Sequence, residues 1–237
     1  MYRVIKALNH NAVLVLDGSS QEYLIMGKGI GFGKKVSERI EPAPDSVVYS
    51  LQSVSERGKA KDLFKEIDPR YLEMADAVLN EAAKEFAHVD RGVLFPMADH
   101  IAFAVSRMRR GEVIANLLTQ DIQVLFYKEF KAASLVRRLL MEEEGLEVPD
   151  DEIGYVALHV HAATAGEKVS SAMQIAAAVR ECITMIEEDA GKRIAVQTLS
   201  YNRLMNHIRY MAARAVTGEE LKLNMNQYIS REFPGSY

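Results

Sequence analysis

The chain has 237 residues, 49% hydrophobic and 26% charged, with 33 acidic side chains against 29 basic ones for a net charge of −4. That composition supplies a sizeable apolar core and excludes a general polycation, so any nucleic-acid contact has to be local and shape-selective. One cysteine, Cys182, excludes an internal disulfide framework and a cysteine-rich metal site; no run of about 18 apolar residues predicts a spanning helix, and the apolar stretch of MYRVIKALNHN is too short for a signal peptide. The expectation is a cytoplasmic protein with no stable membrane insertion.

Residues 1–52 carry β signals. Short apolar runs at 2–8, 12–17 and 21–26 are separated by turn residues, among them Asp17-Gly18. A glycine-dense loop follows, with Gly27, Gly29, Gly31 and Gly33 alternating through GKGIGFGKK. Pro42 and Pro44 mark a break, and residues 46–51 (SVVYSL) predict a fourth strand. Four short strands make a small sheet with little core of its own, which predicts a packing partner, most simply a second copy.

Residues 53–69 are polar and read as a linker with one short helix. From Tyr71 onward the composition is helical. Ile101, Ala104, Val105 and Met108 recur at helical spacing and define a core face. Residues 117–146 are long enough for two helices. Pro149 with Asp150 and Asp151 starts a helix, and EIGYVALHVHAA is apolar nearly all round, which places it centrally in a bundle. Two segments match: His100-Ile101-Ala102-Phe103 through Arg107, and His207-Ile208-Arg209-Tyr210 through Arg214. Each has a glycine four positions on, Gly111 and Gly218, which reads as two copies of one helical module, the second incomplete at its C-terminal end.

Phosphate-binding motifs fail against the glycine loop: neither G-x-x-x-x-G-K-(S/T) nor G-x-G-x-x-G is matched. RNA contact fits better. Phe32 between Gly31 and Gly33 is a stacking platform, Lys28, Lys34 and Lys35 can meet phosphates, and Asn9 and Asn11 carry amides for base edges or ribose hydroxyls. Among the histidines, His159 and His161 are two residues apart, point to nearly opposite sides of a helix, and have no H-E-x-x-H or cysteine cluster beside them, so no metal is expected. A histidine can also accept a phosphoryl group, which adds about two negative charges. No G-x-S-x-G is present, Asp150-Asp151-Glu152 reads as helix N-terminal charge and Glu142-Glu143-Glu144 as a solvated face, so neither catalytic residues nor a cofactor are expected.

These segments resemble a known family. Asn9-His10-Asn11 with the run from Met26 to Lys35 is similar to the RNA-binding co-antiterminator domain of the β-glucoside/sucrose operon (BglG/SacY-type) transcriptional antiterminators. Asp99-His100-Ile101 and DEIGYVALH, ending at His159, resemble the hallmark segments of the regulation domain of the sugar phosphotransferase system, and Asn206-His207-Ile208 resembles a second such domain. The resemblance implies a multidomain protein: a small all-β RNA-binding domain, a dimeric four-stranded antiparallel sheet, over residues 1–56; a linker over 57–69; and all-α helical-bundle regulation domains over 70–168 and 169–237. It implies binding to a leader-RNA hairpin that prevents terminator formation, a homodimer, and phosphorylation by a sugar-specific permease and the general phosphocarrier protein. Carried over by position, Asn11, Gly27, Lys28, Gly29 and Phe32 are the RNA contacts, with Asn9, Lys6 and Lys34 beside them. His100, His159 and His207 are the phosphorylation candidates, and His161 is left structural. The fourth family histidine has no counterpart before Tyr237. The alternative is a DNA-binding sugar-operon activator with the same regulation domains, which would need a helix-turn-helix N-terminus in place of strands.

Overall fold

A computed structural model describes residues 1–217 apart from 53, 56–57 and 195–197. It resolves into two compact units, Met1–Met173 and Gln174–Tyr237. The first begins with an antiparallel sheet of strands β1 (Tyr2–Ala7), β2 (Ala12–Leu16), β3 (Glu22–Met26), β4 (Arg39–Ile40) and β5 (Val47–Ser50), in the order β4-β1-β2-β3-β5. The sheet therefore has five strands rather than the four expected. β4 is two residues long and has no alternation to read; it is held at the edge because Val4 and Ser37 donate backbone hydrogen bonds to Glu38 and Val4, at 2.9 and 2.8 Å. The β2–β3 turn is fixed by Asp17, whose Oδ1 accepts the Ser19 and Gln21 backbone N–H groups.

Strand alternation gives the sheet two faces. One collects Val4, Val13, Val15 and Ile25, closed by Ile40 and flanked by Tyr2 and Tyr23, whose rings meet edge to face at 5.7 Å. The β1–β2 register skips Ile5, a bulge that turns Lys6 away from the Val4 face to stand opposite Leu14. The other face presents Leu24 and Tyr49, both buried. Tyr49 packs edge to face on Phe95 at 6.3 Å, so the partner that covers this face comes from the same chain. Burying such side chains contributes about 1.5–3 kcal/mol each.

The expected linker is more ordered than its composition suggests. A two-strand pair, β6 (Val54–Ser55) with β7 (Gly58–Lys59), leads into helix α1 (Ala60–Glu66). Phe64 of α1 packs on Phe95 and Lys61 pairs with Glu22 of β3 at 2.6 Å, so α1 is a tethered element rather than a spacer. Helix α2 (Pro69–Ala82) starts at Asp68, whose side chain accepts the Arg70 N–H, with Pro69 at the first helical position. Among the described residues no helix precedes Ala60, so a helix-turn-helix N-terminus is not formed.

Helix α3 (Leu94–Arg109) buries Ile101, Ala104 and Val105 as their spacing predicts, whereas Met108, expected on the same face in the last turn, is only half-buried. Residues 119–144 form three helices where two were expected: α4 (Thr119–Leu125), α5 (Tyr127–Ala133) and α6 (Leu135–Glu144). The breaks fall at Phe126, whose backbone leaves the helical region, and at Ser134, whose hydroxyl turns back to the Phe130 carbonyl at 2.8 Å. Helix α7 (Asp150–Ala165) is buried on nearly every side and packs on α3, α4 and α5, the central position its composition predicts.

The second unit holds most of α8 (Val169–Ala190) and all of α9 (Leu199–Thr217). α8 is long and apolar enough to span a membrane by length and composition. Yet Arg180 and Glu181 stand in its middle, and Ala172, Ile175, Ala176, Val179 and Ile183 are buried at helical spacing, the pattern of an amphipathic packing helix. α9 buries Tyr201, Met205 and Ile208. The two matched segments lie on α3 and α9; Gly218 falls outside the described residues.

Candidate nucleic-acid interface and phosphoacceptor cluster

The glycine loop is laced to the β1–β2 turn. Gly27 N–H donates to the Asn11 carbonyl and Gly31 N–H to the His10 carbonyl, each at 2.9 Å. A Cβ on Gly31 would stand 2.0 Å from the Asn9 carbonyl oxygen, so only glycine lets the loop lie this close. Gly29 takes a left-handed backbone, φ +70°, and its N–H donates to Asn11 Oδ1 at 3.0 Å. The Asn11 N–H in turn donates to Asn9 Oδ1 at 2.9 Å. Both amide oxygens thus accept backbone N–H groups of these two loops, which leaves the Nδ2 groups for partners elsewhere.

Against this frame Phe32 is 70% exposed, its ring edge-on to His10 at 5.4 Å. An apolar ring held in water by its own backbone is available for stacking by a flat partner. Lys28 is exposed beside it, and Lys6 is exposed on its strand. Lys34 is less available: its ammonium pairs with Glu38 at 2.7 Å, and that hydrogen bond is the main reason the Glu38 carboxyl lies below its ordinary range. The Nδ2 groups of Asn9 and Asn11 both donate to the Glu73 carboxylate of α2, Asn11 at 3.2 Å. Glu73 was not singled out by sequence. Next to it, the Tyr49 hydroxyl donates to Asp76, which also receives Asn80 at 3.0 Å. Burial first, then the Asp76 charge, pushes the Tyr49 phenol far above its ordinary range, while burial raises the Asp76 carboxyl. Tyr49→Phe removes the donor and leaves a mostly buried carboxylate short of one partner. The expected loss is about 1–3 kcal/mol of stability, read from urea unfolding midpoints.

His100 on α3 and His159 on α7 are brought together, with ring centroids 5.6 Å apart and Tyr155 at 5.5 Å from His100. Both are buried, at 7% and 5% exposure. His100 Nε2 stands 3.4 Å from Glu152 Oε2, and Arg107 clamps both Glu152 oxygens at 2.8 and 2.9 Å. Glu152 is therefore not the solvated N-terminal charge its position suggests: it is buried. Burial alone would raise its carboxyl, but the hydrogen bonds and charges of His100 and Arg107 outweigh that and hold it below the carboxylate range. Glu144 also departs from the solvated face expected of it. Its side chain is 2% exposed and is held by Arg109, by Arg70 at 3.3 Å and by the Tyr71 hydroxyl at 3.0 Å.

His161 lies apart from the pair. Its Nδ1 is 3.0 Å from Glu129 and its ring is 4.1 Å from Phe126, a packed and hydrogen-bonded role. His207 on α9 is exposed. Among the described residues no group of three or more histidine, cysteine or acidic side chains could hold a metal ion.

Two family models match the chain: the CAT RNA binding domain over residues 2–57 and the PRD domain over residues 73–163. The β-glucoside operon antiterminator of Dickeya chrysanthemi is 26% identical over 90% of this chain and 75% of its own length. Transcription antiterminator LicT of Bacillus subtilis is 24% identical over 93% of this chain and 80% of its own, and protein GlcT of Staphylococcus haemolyticus 29% over 96% and 78%. A crystal structure of GlcT CAT-PRDI superposes with a TM-score of 0.57 at 30% identity, covering 69% of this chain and 98% of that one. A small antiparallel sheet running into a helical region agrees with these matches, and the chain belongs to the BglG/LicT/GlcT family of antiterminators, built from a CAT RNA-binding domain and a PRD domain.

Proposed function

We propose that the chain is a cytoplasmic, sugar-responsive transcription antiterminator. Its RNA-binding domain, residues 1–56, dimerises and grips a looped leader-RNA hairpin, and the bound hairpin excludes the overlapping terminator. Phe32 stacks on an unpaired base, Asn9 and Asn11 read base edges or ribose hydroxyls through Nδ2, the Gly27–Gly29 backbone lies against the strand, and Lys28, Lys6 and Lys34 meet phosphates. The observation that carries this reading is the exposed Phe32 ring on a loop whose geometry Gly31 alone permits.

The regulation domains, residues 70–168 and 169–237, receive phosphoryl groups on His100, His159 and His207 from a sugar-specific permease and the general phosphocarrier protein. A phosphoryl group on His100 brings about two negative charges beside Glu152 and competes for Arg107. That exchange alters the α3–α7 seam, which the reading links to dimer formation.

The test is fluorescence anisotropy with the full chain against labelled RNA hairpins carrying internal loops, at two salt concentrations, with duplex DNA as the comparison. Tight binding to one looped hairpin, weak binding to DNA and a modest salt slope are expected. Equal affinity for duplex DNA sinks the reading.

A further inference from the structure

The two amides proposed to read RNA are already occupied. Within the first compact unit, Asn9 Nδ2 donates to one oxygen of the Glu73 carboxylate and Asn11 Nδ2 to the other, at 3.2 Å. Glu73 comes from α2, more than sixty residues further along the chain. Glu73 and Asp76 line a cavity of about 220 Å³ together with Asn11, Met26, Gly27 and Lys28. One wall of that space is the proposed RNA surface, and the other is acidic. The same side of α2 is pinned to the sheet by the Tyr49–Asp76 hydrogen bond. Phe32 and Lys28, by contrast, stay open to solvent.

We propose that Glu73 is an internal competitor of RNA: its carboxylate stands where an RNA acceptor oxygen would stand, and the arrangement described here is a closed state in which only part of the RNA surface is presented. The inference rests on the reading of Asn9 and Asn11 as RNA contacts. A carboxylate is the fitting mimic, because an anionic acceptor bonds amide N–H groups more strongly than a neutral base edge does. It also repels the incoming phosphate backbone. RNA can take both amides only after α2 withdraws from the β1–β2 turn, so the apparent affinity of the chain is reduced by the fraction of molecules that are open.

The experiment uses the full chain and the labelled looped RNA hairpin that binds best in the panel above. Glu73→Gln keeps the size of the side chain but has one acceptor oxygen where the carboxylate has two, so one amide is released. Glu73→Ala releases both. Both variants are expected to tighten RNA binding, Glu73→Ala by about tenfold and Glu73→Gln by less, and thermal unfolding confirms that each is folded. Phe32→Ala, which does not touch Glu73, is the control for the RNA surface. Unchanged or weaker binding by both Glu73 variants, with Phe32→Ala still lowering affinity, overturns the competitor role and leaves the RNA surface standing. Binding that appears only in the Glu73 variants supports it in its strongest form. No binding by any variant overturns the RNA reading itself and the inference with it; full affinity kept when Phe32→Ala is introduced into a chain that binds moves the RNA surface off this loop and overturns the inference.

Discussion

Phe32→Ala is expected to weaken binding of a looped RNA hairpin by about 5- to 150-fold, the worth of one base–aromatic stack of about 1–3 kcal/mol. Unfolding stability should stay within about 0.5 kcal/mol of the parent. The separation follows from the ring's surroundings. Phe32 is 70% exposed and its ring lies edge-on to His10, so removing it opens no cavity. Its position is set by the backbone bonds of Gly29 and Gly31 to the β1–β2 turn, which do not depend on the side chain. Lys28→Ala provides the contrast. A lysine that meets phosphate lowers affinity for every RNA alike and reduces the salt slope by about one, whereas loss of a stacking ring leaves the slope alone. Anisotropy titrations at several salt concentrations separate the two. Full affinity retained by Phe32→Ala would move the RNA surface off this loop.

The features that sequence reveals are the local ones. A lone aromatic between glycines has no neighbour in sequence to bury it, so Phe32 reads as exposed and is. An all-apolar helix has no face for water, so α7 reads as central, and it lies against α3, α4 and α5. What escapes sequence is decided by partners far along the chain. Glu152 and Glu144 sit at helix ends, where charges are ordinarily hydrated; Arg107 in one case, and Arg70 with Arg109 in the other, allow their burial. Glu73 occupies an unremarkable position on an amphipathic helix and acquires meaning only because the β1–β2 turn meets it. The bulge at Ile5 and the short β4 leave no periodic trace, since each is defined by register with another strand. The histidine repeat is readable as a pattern, but not its asymmetry: His100 is buried against Glu152 while His207 is exposed.

That burial sets the second large effect. Arg107→Ala strips the clamp from Glu152, a side chain 3% exposed, and is expected to cost about 3–5 kcal/mol at neutral pH. The loss comes mostly from an uncompensated carboxylate rather than from the attraction removed, and two measurements distinguish these causes. First, Glu152→Gln in the Arg107→Ala background removes the orphaned charge and should recover a large part of the loss, although Glu152→Gln alone destabilises the parent. Second, the penalty should depend on pH. In the parent, the folded state holds the Glu152 carboxyl below its unfolded value of about 4.3, so its contribution is fully present above that pH and is lost as pH falls through the folded value. Without Arg107, burial dominates and raises the folded carboxyl, so acid protonates it and relieves the strain. Urea unfolding of parent and Arg107→Ala should therefore differ by several kcal/mol at pH 7 and converge towards pH 4. A difference that stays constant across that range would show that Arg107 contributes by packing its stem, and would remove the electrostatic basis for coupling a phosphoryl charge on His100 to the α3–α7 seam.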